Sequence, residues 1–212
     1  LDGNLLDTLV DLADSVNRVL RARCFQTHKL EAFRLFVGVG SRMLVKRDLP
    51  ENERSDESLE RYLRAFQKDY AAAWDVKTKP YEDIPQLLSI LAQKDVRMAV
   101  CSNKPHAFAV MCVERLLNKW AFDHIVGQSD RYPKKPAPDS ALAIARYMGV
   151  RPSEMLFVGD SGVDMQTAVA AGMLPVGAAW GFRPEEELLE NGCRFMAHGP
   201  LDVLQFLGPS NF

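Results

Sequence analysis

Cysteine is scarce in this chain, and Cys24, Cys101, Cys112 and Cys193 stand far apart. None forms a C-x-x-C pair, which excludes a zinc ribbon and a dithiol redox motif. Cys101 and Cys112 lie in apolar stretches and read as buried thiols, in keeping with a reducing, cytoplasmic location. The four histidines lack metal-ligand spacing. An excess of positive charge is missing too. With 26 Lys and Arg against 28 Asp and Glu, the net charge is -2, which argues against a nucleic-acid partner. No apolar run is long enough to cross a bilayer, and the N-terminus lacks a basic-then-apolar signal pattern, so no membrane association is expected. Internal repeats and low-complexity tracts are absent as well.

What is present is an ordinary globular composition, 47% apolar and 25% charged over 212 residues. That supports one large domain, or a core with a smaller insertion. Two textures divide the chain. From residue 9 to about 75 it reads as helix, with Leu9, Leu12, Ala13, Val16, Val19 and Leu20 on one face. Two shorter amphipathic pieces, "KLEAFRLF" and "SRMLVKR", flank a flexible "VGVG". The stretch from Ser55 to Trp74 opens with capping residues and reads as a charged, surface-facing helix.

Beyond "KTKPYEDIP" short apolar strands alternate with amphipathic helices. "VRMAVCS", "HIVG", "MLFVGD" and "LPVGAAW" are the strands; "PHAFAVMCVERLL", "PDSALAIARYM" and "VDMQTAVAAG" are the helices. This alternation predicts a Rossmann-like, doubly wound α/β core with a parallel sheet. The expected division is a core of residues 1–8 and 80–212 and a helical cap of residues 9–79, with hinges around Asp7-Thr8 and "KTKPY". A cap placed there would lie over the carboxyl ends of the strands, where open α/β sheets bind ligands.

Polar groups gather after those strands. Ser102, Asn103 and Lys104 follow "MAVC"; Asp160, Ser161 and Asp164 follow "LFVG". Lys134-Lys135-Pro136 precedes a helix, and Asp2, Gly3, Asn4 and Asp7 form the opening turn. Taken singly, each has a plain structural role as a cap, a turn or a solvated loop. Jointly, acids at strand ends suit a hard divalent cation such as magnesium, and a hydroxyl with an ammonium suits a phosphate group. The combination points to phosphoryl transfer.

At this level the sequence resembles the haloacid-dehalogenase superfamily of phosphatases, in the phosphoglycolate phosphatase branch with a helical cap. "LDGNLLDT" is similar to the first motif from its second position on, "VCSNK" to the second, "KPAP" to the third and "GDSGVD" to the fourth. "FVGVGSR" resembles that branch's specificity loop.

The resemblance implies a magnesium-dependent phosphatase for a small phosphate monoester, 2-phosphoglycolate foremost, working through an aspartyl-phosphate. It puts the nucleophilic aspartate and its strand upstream of Leu1, so the native chain is expected to extend beyond that residue. Asp2 becomes the general acid and base, and Ser102 and Lys135 grip the phosphoryl group. Gly3 allows close backbone approach, and Asn103 joins the substrate-binding set. Metal is assigned to Asp2 (through its backbone carbonyl) and Asp160, with Asp164 supporting the metal shell or Lys135.

Ser41 and Arg42 in the cap are candidates for contacting the leaving group, Arg42 through a carboxylate. A monomer or homodimer is expected. Alternatives on the same scaffold are a sugar-phosphate mutase, a pyrophosphatase and a phosphonate hydrolase, for which Lys46 is the nearest Schiff-base lysine. A non-catalytic binding protein without the nucleophile is the alternative of a different class.

Overall fold

The computed structural model describes residues 1–208; residues 209–212 of the expected core lie outside the described residues. Four helices make the cap: α1 (Leu9–Arg21), α2 (Leu30–Phe36), α3 (Ser41–Asp48) and α4 (Asp56–Ala73). On α1, Leu9, Leu12, Ala13, Val16 and Leu20 are buried, as the periodicity requires. They pack against α4, and Ser15 and Arg18 reach across to Asp69 on that helix. Ser55 caps α4 by accepting from the Ser58 N–H at 3.3 Å. The surface-facing reading of α4 holds for one side only. Leu59, Tyr62, Phe66 and Tyr70 recur at three- and four-residue intervals and are buried.

The chain enters the cap from β1 (Leu6–Asp7) and returns through β2 (Lys79–Pro80). These pair antiparallel, Leu6 opposite Pro80, so the two crossings are tied to each other. Asp11 fastens the return further: its Oδ2 accepts from the Lys77 and Thr78 amides at 2.8 and 2.7 Å and from the Thr78 hydroxyl. A buried carboxylate with three donors is well compensated for leaving water.

The α/β part runs α5 (Ile84–Gln93), β3 (Ala99–Pro105), α6 (His106–Leu116), β4 (His124–Gln128), α7 (Asp139–Met148), β5 (Leu156–Gly159), α8 (Gly162–Ala171), β6 (Leu174–Ala178), α9 (Glu185–Glu190) and β7 (Phe195–Ala197). β3 pairs with β4, and β5, β6 and β7 follow in order, all parallel. Every residue of β6 is buried, as expected of an inner strand covered on both faces. Each such Leu or Val adds about 1.5–3 kcal/mol relative to exposure.

β3 and β5 are not hydrogen-bonded to each other. Between them lies a cavity of about 410 Å³ whose lining includes Leu87, Val100, Cys101, Phe157 and Val158. Cys101, expected to be buried, is half-buried here, whereas Cys112 is fully buried inside α6. Among the described residues no helix is long and apolar enough to cross a membrane.

Candidate active site

The carboxyl ends of β3 and β5 open into a cleft roofed by the cap. Its lining includes Asp2, Ser102, Asn103, Lys135, Asp160 and Asp164 from the core side. Gly38, Ser41, Phe66, Gln67 and Tyr70 line it from the cap. The cavity is about 90 Å³, room for a ligand of a few heavy atoms.

Lys135 and Asp164 meet at 2.5 Å, both buried, and Lys135 also donates to the Cys101 carbonyl at 3.1 Å. Burial opposes charge on both. Their mutual attraction prevails, holding Lys135 above and Asp164 below their ordinary values. Ser161 donates to the other Asp164 oxygen at 2.6 Å, so this carboxylate is fully engaged within the protein.

Asp160 is different. One of its oxygens accepts from the Phe182 amide at 3.1 Å. Burial and the neighbouring Asp164 charge push its carboxyl up to about 7. A carboxylate in that condition is suited to a cation. Gly3, with φ of +73°, lies against it so closely that a Cβ would fall 2.2 Å from Asp160 Oδ2. The Gly3 backbone is thus packed on the Asp160 carboxylate, and that carboxylate with the Asp2 carbonyl would supply hard oxygens of the kind a magnesium shell takes. Among the described residues no three His, Cys, Asp or Glu side chains gather as a metal-holding group.

Asp2, on the core side of the cleft, is linked to the cap through Lys104. Lys104 Nζ donates to its Oδ1 at 3.1 Å and to Tyr70 Oη at 3.0 Å. Burial works to raise Asp2, but the Lys104 ammonium overrides it and keeps the carboxyl below its usual range. Ser102 Oγ accepts from the Lys104 amide at 3.1 Å. The Asn103 side chain is committed to holding loops together: Oδ1 accepts from the Lys135 amide at 2.9 Å, and Nδ2 donates to the Lys135 and Gly38 carbonyls.

Ser41 lines the cleft, but Arg42 does not. The Arg42 guanidinium donates to Glu60 and Asp56, both at 2.6 Å, on the exposed side of the cap. Its place one residue after Ser41 turns it outward, and two acids on α4 hold it there. Lys46, the lysine considered for a Schiff base, is also outside the cleft lining.

Several cleft residues escaped the sequence reading as site groups. Tyr70, Phe66 and Gln67 sit on α4, and the Leu59-Tyr62-Phe66-Tyr70 spacing was the signal that this helix has an inner face. Arg183 was silent in sequence. It donates to the Leu35 and Val37 carbonyls at 2.9 and 3.0 Å, while Arg34 of the cap donates to the Gly181 carbonyl. The cap and the loop after β6 are therefore stapled in both directions.

Residues 1–178 match the family described as haloacid dehalogenase-like hydrolase. The chain is 36% identical over 186 residues to a phosphoglycolate phosphatase of Pseudomonas putida, covering 86% of this chain and 68% of that one. It is 31% identical over 182 residues to a phosphoglycolate phosphatase of Aquifex aeolicus, covering 86% and 83%. A haloacid dehalogenase-like family protein of Streptococcus pneumoniae superposes with a TM-score of 0.88 at 21% identity, over 98% of this chain and 95% of that one. Cap, parallel core, ordered motifs and these matches agree: the chain belongs to the haloacid dehalogenase-like hydrolases, in the branch with a helical cap that resembles phosphoglycolate phosphatases.

Proposed function

We propose that this protein is a magnesium-dependent phosphatase that hydrolyses a small phosphate monoester, 2-phosphoglycolate in particular, through an aspartyl-phosphate. The observation that carries the reading is the convergence of Asp2, Ser102, Lys135 and Asp160 on one small cleft under the cap. The phosphoglycolate phosphatases among its relatives support the choice of ester.

In this reading the attacking group is an aspartate two positions before Asp2. Successive residues of an extended strand point to opposite sides, so acids two apart serve one site. In the first step the aspartate oxygen bonds to phosphorus, the ester P–O bond breaks, and Asp2 gives a proton to the departing alkoxide. In the second, water attacks phosphorus and passes a proton to Asp2. The acyl-phosphate P–O bond then breaks and inorganic phosphate leaves.

Lys104 favours the carboxylate form of Asp2, the form that accepts the proton of water. Lys135, fixed by Asp164, and Ser102 stabilise the phosphoryl oxygens. Asp160 and the Asp2 backbone carbonyl, with the upstream aspartate, would hold magnesium, which offsets anionic repulsion and orients the phosphate.

Phosphate release from 2-phosphoglycolate by the full-length protein, with and without magnesium, tests this. Asp2→Asn should lower kcat by about 100- to 10,000-fold while the protein stays folded. Parental turnover in the variant removes Asp2 from the mechanism; no release by the parent overturns the phosphatase reading.

A further inference from the structure

Arg42, the arginine expected to meet a substrate carboxylate, is engaged by Asp56 and Glu60 on the exposed side of the cap. The cationic side chains lining the cleft, among the described residues, are Lys104, Lys135 and Arg183. Lys135, held by Asp164 and the Cys101 carbonyl, is assigned to the phosphoryl oxygens. Arg183 is committed to two cap carbonyls and lies near Glu187.

Lys104 is placed differently. Its side chain is 4% exposed, and the ammonium lies 3.1 Å from Asp2, the group that must reach the leaving oxygen. It also sits 4.7 Å from the centre of the Tyr70 ring. An ammonium has three N–H donors, and Asp2 and Tyr70 account for two.

Tyr70 completes the arrangement from the cap. Burial pushes its hydroxyl well above the usual phenol range, so it remains a donor. Phe66 stacks on it from the preceding turn of α4, and Phe108 of α6 packs at 5.5 Å, which fixes the ring over the lysine. A group one carbon away from the ester oxygen at Asp2 would therefore meet a buried ammonium and a phenolic O–H.

We propose that Lys104 and Tyr70 form the subsite for a carboxylate on the leaving group, which makes phosphate esters of short 2-hydroxy acids the preferred substrate class. This rests on the phosphatase reading and names the residues that select the ester. Lys104 is a specificity residue supplied by the core, and Tyr70 is its partner from the cap. The subsite is thus complete only when cap and core meet.

The test compares kcat/KM of the full-length protein for 2-phosphoglycolate and for ethyl phosphate, which has the same carbon count and no carboxylate. The parent should prefer 2-phosphoglycolate. Lys104→Met should reduce that preference by about 10- to 100-fold, chiefly through KM, as expected for a lost charge-assisted contact. Lys104→Arg should restore part of it. Tyr70→Phe, which keeps the ring packing, should reduce it by about 3- to 10-fold.

Parallel loss on both esters in Lys104→Met, with the preference intact in Tyr70→Phe, would overturn the proposal. That pattern would mean Lys104 serves Asp2 alone. A parent that hydrolyses ethyl phosphate as well as 2-phosphoglycolate overturns the subsite but leaves the phosphatase reading standing. A parent that hydrolyses neither ends both.

Discussion

Gly3 and Asp160 touch so closely that no methyl group fits between them. A Cβ on Gly3 would sit 2.2 Å from Asp160 Oδ2 and 2.8 Å from the Phe182 ring, and its φ of +73° already disfavours any other residue. Gly3→Ala should cost about 1–3 kcal/mol through backbone strain and displace the Asp160 carboxylate. Magnesium titration of the folded variant should show weakened binding, and thermal melts should show the lower stability. An unchanged metal titration would separate Asp160 from the cation.

Lys135 and Asp164 are a buried pair, so removing one partner strands the other. Lys135→Met should destabilise the fold by about 3–5 kcal/mol and abolish phosphate release. Lys135→Met combined with Asp164→Leu should recover much of the stability without recovering turnover. Denaturant midpoints and phosphate assays on the single and double variants check both halves. A single variant as stable as the parent would show that the pair contributes nothing to folding.

Asp48, at the end of α3, is buried with both carboxyl oxygens lacking a hydrogen-bond partner. Burial pushes it up to about 8, despite the nearby Arg47. The unfolded chain releases this proton near pH 4, whereas the folded chain keeps it until about pH 8. Between those values the unfolded state binds fewer protons, so this group's contribution falls as pH rises, by about 1.4 kcal/mol per unit. Asp48→Asn should flatten that slope and exceed the parent in stability at pH 8. Equal pH dependence in parent and variant, read from urea midpoints between pH 5 and 8, would refute it.

Arg42 faces Asp56 and Glu60 in an exposed cluster. Exposed pairs of this kind contribute about 0–1 kcal/mol. Arg42→Ala should therefore change kcat/KM for 2-phosphoglycolate by less than about threefold and the stability by no more than about 1 kcal/mol. A large rise in KM would return Arg42 to the substrate.

The α/β alternation, the inner face of α1, the helix after Ser55, the strand-end positions of Ser102 and Asp160 and the loop position of Lys135 were legible from residue order. Burial of one face imposes a repeat of its own on each element, and carboxyl strand ends share one edge whatever the details. β3 itself runs on through Asn103 and Lys104, two residues that the sequence reading placed beyond the strand "VRMAVCS". Among the elements the sequence reading passed over, α9 and β7 are six and three residues long. Elements that short have too few positions for a period to show.

What the sequence by itself determined about this protein is therefore its class, its cap-and-core plan and the inventory of acids, lysines and hydroxyls. Only the tertiary structure decided their partners: that Asp164 belongs to Lys135, that Asn103 holds two loops together, and that Lys104 and Tyr70 meet over Asp2 while Arg42 turns to solvent. The reason is physical. Periodicity reports which face of an element avoids water, but a charge is assigned by what stands opposite it. Asp2 and Lys104 are 102 positions apart, and Lys104 and Tyr70 are 34.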